Sequence, residues 1–368
     1  MKVMSIIGTR PEIIKMSEII KALDKVTEHT LIHTGQNYDF ELNEIFYKDL
    51  NLRHPDHVLD TKGDSLAETV GNIMFEVEKM LKLYEPDAVV ILGDTNSALS
   101  GLIVKRMKIP LFHLEAGNRC FDDNVPEEIN RRILDHISDV NMVYTENQRR
   151  NLLSEGIAKD RLFLMGSPMH EVITQNITKI NKSDVLVKLG LEYPEWAQVP
   201  YFLVSIHRDE NVESEDNLNE LMKTLDAIHT KYGNSVIVST HPRLRKKLED
   251  KQIKGVEFMK PFGFLDYCKL QMNAICVISD SGTIAEESAI LGFPAITIRN
   301  AQERIEAVDS GSILMSGVNC DTILEYIDIV EPPTTTPSDY MIPNTSERVV
   351  KAILGYTPYV NRYVWHKK

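Results

Sequence analysis

The sequence predicts an α/β protein built from two doubly wound domains, and three observations carry that prediction. Short continuous apolar runs recur along the 368-residue chain, as expected of parallel strands that are buried on both faces. Amphipathic segments separate most of these runs, and strands that alternate with helices indicate parallel sheets covered on both sides. The chain is also longer than one hydrophobic core usually supports, so two domains with a cleft between them are expected.

Each predicted strand is an apolar run that ends in a polar tip. The runs cover 3–10, 29–36, 88–95, 109–117, 140–146, 161–167, 201–208, 235–242, 274–282 and 294–300. The helical segments between them are Pro11–Leu23, Leu66–Leu83, Asn96–Met107, Pro126–Ile137, Asp216–Tyr232, Phe264–Met272 and Thr283–Leu291. The stretch 170–200 loses the apolar runs, which predicts a connection between a first domain at 1–170 and a second at 171–345. The last segment, 346–368, is expected to pack back on the first domain as a helix and tail.

Composition and charge restrict the classes of function. Hydrophobic residues make up 43% of the chain and charged residues 26%, which is typical of a soluble globular protein. A formal net charge of −13 argues against a nucleic-acid partner, because binding a phosphate backbone needs a basic surface. No apolar run reaches the roughly 18–20 residues of a membrane span, and the N-terminus MKVMSIIGTRPE turns polar too early for a signal peptide. With four scattered cysteines and no C-x-x-C pair, a cytoplasmic protein without membrane partners is expected.

Polar side chains follow the predicted strands where doubly wound domains bind ligands, at the carboxyl ends of the strands. The residues that the tips place on this rim are Arg10, Gln36, Asp94, Glu115, His207, Arg208, His241 and Ser281. The arrangement predicts a ligand site at the rim.

The turn GTRPE suits a phosphate group. A glycine turn precedes a helix N-terminus that Arg10 and Lys15 flank, and the free N–H groups and dipole of a helix N-terminus favour an anion. A plain strand-to-helix turn with surface charges explains the same residues. Neither G-x-G-x-x-G nor a Walker A sequence follows any strand, so neither a dinucleotide nor an ATP-type cradle is predicted.

The turn SDSGTIAEE offers a second phosphate site. Gly282 allows close backbone approach, and Glu287 is placed to accept the hydroxyls of a ribose. The structural alternative is helix capping, with Ser281 as the N-cap and the acidic residues favouring the helix dipole.

Acidic residues end two neighbouring predicted strands, in GDTNS (Asp94) and HLEAG (Glu115). Ion pairs account for the charged residues of the following PEEINRR helix, since Glu127–Arg131 and Glu128–Arg132 both have i,i+4 spacing. Ion pairing in that helix does not explain two further acids at strand tips, where like charges repel. No H-x-x-x-H or comparable ligand spacing lies beside Asp94 or Glu115 in the sequence, so acid–base chemistry is favoured over a metal site. In HRDEN, His207 beside Arg208 at a rim is either a functional histidine or a structural one.

The motifs GTRPEIIKM, GDTNS, HLEAG, PEEINRR, HRDEN and SDSGTIAEESAILGFPAITIRNAQERIEAV follow one another in this order. Together they closely resemble the non-hydrolysing UDP-N-acetylglucosamine 2-epimerase family, and the resemblance extends from residue 2 to about 355. It implies two Rossmann-like domains in a glycosyltransferase B-like architecture, with UDP held mainly by the C-terminal domain. The implied reaction inverts C2 of a UDP-2-acetamido sugar by anti elimination of UDP and re-addition. A homodimer is implied, with no redox cofactor and no metal.

The resemblance also implies roles for individual residues. The residues implied to be catalytic are Asp94, Glu115, Glu127 and His207. The residues implied to bind the UDP-sugar are Arg10, Ser281, Gly282 and Glu287, with support from Lys15 and Arg131; the rim adds Gln36, Arg208 and His241.

Departures from the commoner family pattern point to a substrate. GNRCFDDNVPEE and HTGQNYD resemble a branch that converts UDP-2-acetamido-2,6-dideoxy-L-talose to UDP-N-acetyl-L-fucosamine for capsule or O-antigen synthesis. A 6-deoxy sugar needs a more apolar wall, for which Phe121 is the candidate. An arginine that helps other members bind an activating UDP-sugar is replaced near Gly63, which argues against that regulation. The alternatives are conversion of UDP-N-acetylglucosamine to UDP-N-acetylmannosamine, a retaining glycosyltransferase, and an inactive nucleotide-sugar sensor.

Overall fold

The computed structural model describes residues 1–35, 40–193, 198–240, 244, 247 and 252–367. The chain forms two compact units. The N-terminal unit comprises Met1–Thr174 together with Asp339–Lys368, and the C-terminal unit comprises Gln175–Ser338. The last segment of the chain therefore belongs to the N-terminal unit, where its helix packs against the first helix of the chain.

The N-terminal unit contains a seven-stranded parallel sheet of order β3-β2-β1-β4-β5-β6-β7. Its strands are β1 (Lys2–Ile7), β2 (Glu28–His33), β3 (His57–Val58), β4 (Ala88–Leu92), β5 (Leu111–Leu114), β6 (Val140–Val143) and β7 (Leu162–Leu164). The helices are α1 (Arg10–Val26), α2 (Phe40–Asp49), α3 (Leu66–Tyr84), α4 (Gly101–Arg106), α5 (Pro126–Ile137), α6 (Glu146–Ser154), α7 (Pro168–Asn181) and α15 (Thr345–Tyr363). Short 3₁₀ segments lie at Asn96–Ser100, Lys159–Arg161 and Ser338–Met341.

The core of this unit follows from the sequence pattern. Every residue of β4 and β5 is buried, as continuous apolar strands between two helical layers must be. Helix α3 begins after Ser65, whose side chain accepts a hydrogen bond from the Glu68 N–H, and its i,i+4 residues Ile73, Val77 and Leu81 pack on the sheet.

The C-terminal unit contains a six-stranded parallel sheet of order β10-β9-β8-β11-β12-β13. Its strands are β8 (Tyr201–Ile206), β9 (Ser235–Thr240), β10 (Val256–Met259), β11 (Cys276–Ser279), β12 (Ala295–Thr297) and β13 (Leu314–Met315). The helices are α8 (Val185–Lys188), α9 (Asp209–Val212), α10 (Glu215–Tyr232), α11 (Phe264–Asn273), α12 (Ile284–Leu291), α13 (Ile305–Asp309) and α14 (Cys320–Ile329). The core packs β8, β9, β11 and β12 against α10 and α14.

Both sheets reverse their strand order at one point, and this positions the loops. The first strand of each unit lies between its second and fourth strands, so chain connections leave in opposite directions from β1/β4 and from β8/β11. Ligands of doubly wound sheets bind at the carboxyl ends of the strands beside such a switch point. The loops after β4, β8 and β11 carry five of the predicted site residues, namely Asp94, His207, Arg208, Ser281 and Gly282.

The predicted α/β class is confirmed, and each predicted apolar run contains a strand. Three strands, β3, β10 and β13, escape prediction because they lie at the edges of the sheets and contain no fully buried residue, so no continuous apolar run marks them. The division between the two units, after Thr174, falls within the stretch 170–200 that the sequence marks as the connection, and α7 continues across it to Asn181.

Candidate active site

Asp94 follows β4 and is held by an arginine. Gly93, at φ +77°, turns the chain out of the strand, and Asp94 then meets the guanidinium of Arg131 on α5. Arg131 Nε lies 2.8 Å and Nη2 2.7 Å from Asp94 Oδ2, while Nη1 contacts Glu128 Oε2 at 3.0 Å. The side chain of Asp94 keeps 20% of its surface exposed. The pair therefore leaves the Asp94 carboxylate fixed in position and partly accessible.

Glu115 follows β5 in an unusual backbone conformation. Its φ is +71°, a left-handed value that costs a non-glycine residue about 1–3 kcal/mol and that clusters at functional sites. Its Oε2 accepts from Lys15 Nζ at 2.7 Å and from the Tyr144 hydroxyl at 3.2 Å, and Asn118 Nδ2 lies 3.4 Å from Oε1. Glu115 and Lys15 are 9% and 5% exposed. Lys15, expected beside a phosphate, thus lies against a predicted catalytic acid.

A buried ionic network supports the turn that follows Glu115. Asp135 on α5 accepts from the Gly117 N–H at 3.2 Å and from Arg119 Nη1 at 2.7 Å, and it lies 2.8 Å from His113 Nδ1. Arg119 also forms a bidentate pair with Glu155. Because these groups pair with one another inside the unit, they serve to fix the turn.

The neighbouring acids Glu127 and Glu128 lie in different environments. Glu128 is fully buried and accepts from Arg131, from Arg132 and from the N–H groups of Cys120 and Phe121. The expected Glu128–Arg132 pair is present at 3.0 Å. Glu127, on the first turn of α5, is only half-buried. Its catalytic role stays a prediction.

Glu12 is a buried acid that the sequence interpretation passed over, although it lies in the GTRPE motif. Its Oε2 accepts from the Gly8 N–H at 2.5 Å and its Oε1 from the Thr95 hydroxyl at 2.9 Å, so it links the loops after β1 and β4. Burial raises the pKa of Glu12 from 4.5 to about 7, with a smaller contribution from the charge of Asp94, against the lowering effect of these hydrogen bonds. A glycine is required at position 8, because a Cβ there would lie 2.0 Å from Ser97 Oγ.

In the C-terminal unit, His207 is paired with an aspartate that the sequence interpretation did not assign. Asp280 directly follows β11 and is fully buried. Its Oδ1 lies 2.8 Å from His207 Nδ1, and its carboxylate accepts from the N–H groups of His207 and Arg208 and from Asn211 Nδ2. Burial would raise the pKa of Asp280, but the charge of His207 and these hydrogen bonds outweigh it and lower the pKa to about 2.

The SDSG turn differs in detail from its predicted form. The N-cap of α12 is Thr283, not Ser281, and the Ser281 hydroxyl instead accepts from the Thr283 N–H at 3.3 Å. Ser281 is not the N-cap because two turn residues, Gly282 and Thr283, lie between it and the start of the helix at Ile284. Gln271 Nε2 donates to Glu287 at 2.6 Å and so orients the carboxylate predicted to bind ribose.

Two arginines border Gly282. A Cβ on Gly282 would lie 3.4 Å from Arg299 Nη1 and 3.8 Å from Arg208 Nη2. Arg299 forms a bidentate pair with Glu303 at 2.7 and 3.2 Å, and Arg208 Nη2 lies 3.7 Å from the same carboxylate. The turn is therefore bordered by two guanidinium groups and by the Glu303 carboxylate that they contact, 3.6 Å from the same Cβ position. Of the two arginines, only Arg208 was predicted.

The remaining predicted residues are placed as follows. Arg10 is the first residue of α1, directly after the Gly8 turn. Gln36 and His241 lie outside the described residues. Within the described residues, no group of three or more His, Cys, Asp or Glu side chains is arranged to hold a metal ion. In that same part of the chain, no helix combines the length and apolarity that crossing a bilayer requires.

A sequence model of the UDP-N-acetylglucosamine 2-epimerase family matches residues 21–354. The chain belongs to this family. It is similar to UDP-N-acetylglucosamine 2-epimerase from Rickettsia bellii, with 43% identity, a TM-score of 0.91 and coverage of 100% of both chains. It is also similar to the Methanocaldococcus jannaschii UDP-GlcNAc 2-epimerase in complex with UDP-GlcNAc and UDP, with 34% identity, a TM-score of 0.87 and coverage of 97% of this chain and 100% of that one. The lipopolysaccharide glycosyltransferase WaaG shares the fold alone, at 11% identity, a TM-score of 0.59 and coverage of 96% and 100%.

Membership of the 2-epimerase family establishes the class of reaction. The protein is an enzyme, a carbohydrate epimerase, and the fold resembles that of glycosyltransferases of the WaaG type. The N-terminal unit contains carboxylates paired with cations, and the C-terminal unit contains an imidazole paired with a carboxylate and a turn bordered by two arginines. Side chains of these kinds can transfer protons and stabilise a departing anion.

Proposed function

We propose that this epimerase inverts C2 of a UDP-2-acetamido sugar by anti elimination of UDP and re-addition with the opposite configuration. The observation that carries the proposal is the pairing of two strand-tip carboxylates, Asp94 and Glu115, with the cations Arg131 and Lys15. Each cation stabilises an ionised carboxylate, and an ionised carboxylate can accept the C2 proton.

The proposed chemistry couples two bond cleavages. The C2 proton is weakly acidic, so its removal together with C1–O cleavage avoids an isolated carbanion. One carboxylate takes the proton as UDP departs, which leaves a 2-acetamidoglycal. Re-addition of UDP at C1 and protonation of C2 from the opposite face then give the epimer. Asp94, Glu115 and Glu127 are the proposed proton-transfer and charge-stabilising groups, with His207 as the fourth catalytic residue.

The proposed UDP-binding residues lie mainly in the C-terminal unit. Ser281 and Gly282 form the proposed diphosphate turn, Arg208 borders it, and Glu287, oriented by Gln271, binds the ribose. Arg10 at the start of α1 supplies a further cation near a helix N-terminus.

Two sugars are candidates. The proposed substrate is UDP-2-acetamido-2,6-dideoxy-L-talose, giving UDP-N-acetyl-L-fucosamine. The residue proposed as an apolar wall for its methyl group is Phe121, which exposes 75% of its surface at φ +56° in a turn that Glu128 holds. The alternative is UDP-N-acetylglucosamine to UDP-N-acetylmannosamine, which the names of the similar solved structures support.

Isotope exchange separates these candidates. The purified enzyme is incubated in D₂O with each UDP-sugar and no acceptor, and NMR reads deuterium at C2 and the configuration of the product. Deuterium in the L-talo and L-fuco compounds alone supports the first substrate, and deuterium in UDP-N-acetylglucosamine supports the alternative. Sugar transfer to an acceptor without C2 exchange would instead favour a retaining glycosyltransferase, and binding without either reaction a nucleotide-sugar sensor.

The proposal also covers the cellular location and the oligomeric state of the enzyme. We place the enzyme in the cytoplasm, as a homodimer that supplies activated sugars for capsule or O-antigen chains. Cell fractionation tests the location, and light scattering of the purified protein tests the dimer.

A further inference from the structure

We propose that Asp280 is a positioning residue that fixes the ring orientation and the tautomer of His207. The part of this inference that concerns catalysis rests on the function proposed above. The structural part stands on the contacts of Asp280 alone.

Neighbouring strands bring the two residues together. In the parallel pair β8–β11, Ser205 is in register with Ser279, so His207 and Asp280 both leave the carboxyl ends of adjacent strands. The Asp280 N–H donates to the Ser205 carbonyl at 3.3 Å, which continues the ladder to the base of the carboxylate. The position of Asp280 is therefore set by the sheet.

The backbone and amide groups that hydrogen-bond to the Asp280 carboxylate in the described part of the chain are all donors. Oδ2 accepts from the Arg208 N–H at 2.9 Å and from Asn211 Nδ2 at 3.1 Å, and the His207 N–H lies 3.1 Å from both oxygens. Oδ1 lies 2.8 Å from His207 Nδ1. An ionised carboxylate can only accept, so Nδ1 carries the hydrogen in this pair.

The consequence concerns the other ring nitrogen. With its hydrogen on Nδ1, neutral His207 has Nε2 as its only acceptor. The His207 side chain is 41% exposed, while Asp280 is fully buried, so a reacting group reaches the imidazole and not the carboxylate. The low pKa of Asp280 keeps it ionised throughout the neutral range, so it orients His207 without taking its proton.

The substitution Asp280→Asn tests this arrangement. The amide oxygen still accepts from the Arg208 N–H and Asn211, while the amide NH₂ faces His207 Nδ1 and favours the tautomer with hydrogen on Nε2. We expect kcat to fall roughly 10²–10⁴-fold while KM for the UDP-sugar changes less than about threefold. ¹⁵N NMR of the imidazole, assigned with His207→Asn, should show hydrogen on Nδ1 in the wild type and on Nε2 in the Asp280→Asn variant.

Asp24→Asn is the matched control. Asp24 Oδ1 contacts His29 Nδ1 at 2.6 Å in the N-terminal unit, so the substitution makes the same chemical change in an Asp–His pair outside the proposed site. It should leave kcat and the His207 tautomer unchanged. Near wild-type turnover of Asp280→Asn, or an equal loss in Asp24→Asn, would overturn the catalytic part.

The wild-type spectrum decides the structural part even if Asp280→Asn does not fold. Neutral His207 with hydrogen on Nε2 in the wild type would overturn the inference. If no UDP-sugar is epimerised, the proposed function fails, yet the tautomer measurement still tests the role of Asp280.

Discussion

Lys15 Nζ lies 2.7 Å from Glu115 Oε2, with only 6% and 10% of the two side chains exposed. Glu115 also accepts from the Tyr144 hydroxyl and has a left-handed backbone. A buried carboxylate in a strained turn is stable only when a neighbouring cation and donors compensate for its lost hydration. Lys15 therefore maintains the charge of a proposed catalytic group.

Replacing Lys15 with methionine should both destabilise and inactivate the enzyme. The change leaves the Glu115 carboxylate buried without its cation, and breaking a buried pair from one side costs about 3–5 kcal/mol. Urea unfolding at pH 7 measures the free energy of unfolding. The control is Lys21→Met, which removes a more exposed partner of Glu18 on the same helix and should cost about 0–1 kcal/mol. Equal losses in the two variants would contradict the assignment.

The proposed proton-transfer groups should each be needed for turnover. We expect Asp94→Asn, Glu115→Gln and Glu127→Gln to lower kcat by roughly 10²–10⁴-fold, the range for a positioned acid or base. The rate of C2 deuterium exchange measures the effect. Near wild-type exchange in all three variants would show that the acids are wrongly assigned.

Glu127 and its neighbour Glu128 provide an internal comparison. Glu127→Gln should lose rate with little loss of stability, because its side chain is only half-buried. Glu128→Gln should lower the free energy of unfolding by about 3 kcal/mol or more, because Glu128 is fully buried between Arg131 and Arg132. Thermal and urea unfolding distinguish the two. A larger loss of stability in Glu127→Gln than in Glu128→Gln would show that Glu127, not Glu128, is the structural residue.

Much of the fold follows from the sequence, because strands buried on both faces are continuous apolar runs that end in recognisable polar tips. The same pattern places Asp94, Glu115 and His207 at strand ends, where the structure has them. Tertiary partners are not visible in the pattern. Asp280 lies inside the SDSG motif, but its partner His207 is 73 residues away in the chain, and nothing local reveals the pair.

The adjacent residues Glu127 and Glu128 show a second limit. Helical spacing predicts ion pairs for both residues. The burial of Glu128, however, depends on the turn at Cys120 and Phe121, because the N–H groups of that turn donate hydrogen bonds to its carboxylate. The assignment of Ser281 as an N-cap is wrong for a similar reason, since a capping signal does not determine how many turn residues precede the helix.

Gly282→Ala should weaken nucleotide binding without unfolding the protein. A Cβ on Gly282 makes only ordinary contacts, 3.4 Å from Arg299 Nη1 and 3.6 Å from Glu303 Oε2, so the unit accommodates it. The methyl group would nevertheless obstruct a diphosphate that approaches the backbone. Calorimetric titration with UDP should show an affinity loss of roughly tenfold, about 1.4 kcal/mol.

The matched control is Gly71→Ala in α3, where a Cβ meets nothing within 4 Å. It should leave UDP affinity unchanged and stabilise the helix by about 0.5–1 kcal/mol. Undiminished UDP binding by Gly282→Ala would show that the SDSG turn does not bind the nucleotide.

Glu12 should make the stability of the enzyme depend on pH. Burial raises its pKa from 4.5 to about 7 in the folded state, whereas in the unfolded chain it ionises near 4.5. Between these values the folded state retains a proton that the unfolded state releases. The contribution of Glu12 to stability is therefore present below pH 4.5 and is lost as pH rises through 7. Glu12→Gln cannot ionise, and its amide still provides an acceptor for Gly8 and a partner for Thr95.

The free energy of unfolding of Glu12→Gln should consequently rise relative to the wild type between pH 5 and pH 8, by at most about 3 kcal/mol. Urea unfolding at both pH values gives the difference. Glu18→Gln, on the same helix but paired with Lys21 at its surface, should show no rise of comparable size. A Glu12→Gln difference that stays constant or falls with pH would mean that Glu12 is ionised across this range, held as a carboxylate by Gly8 and Thr95.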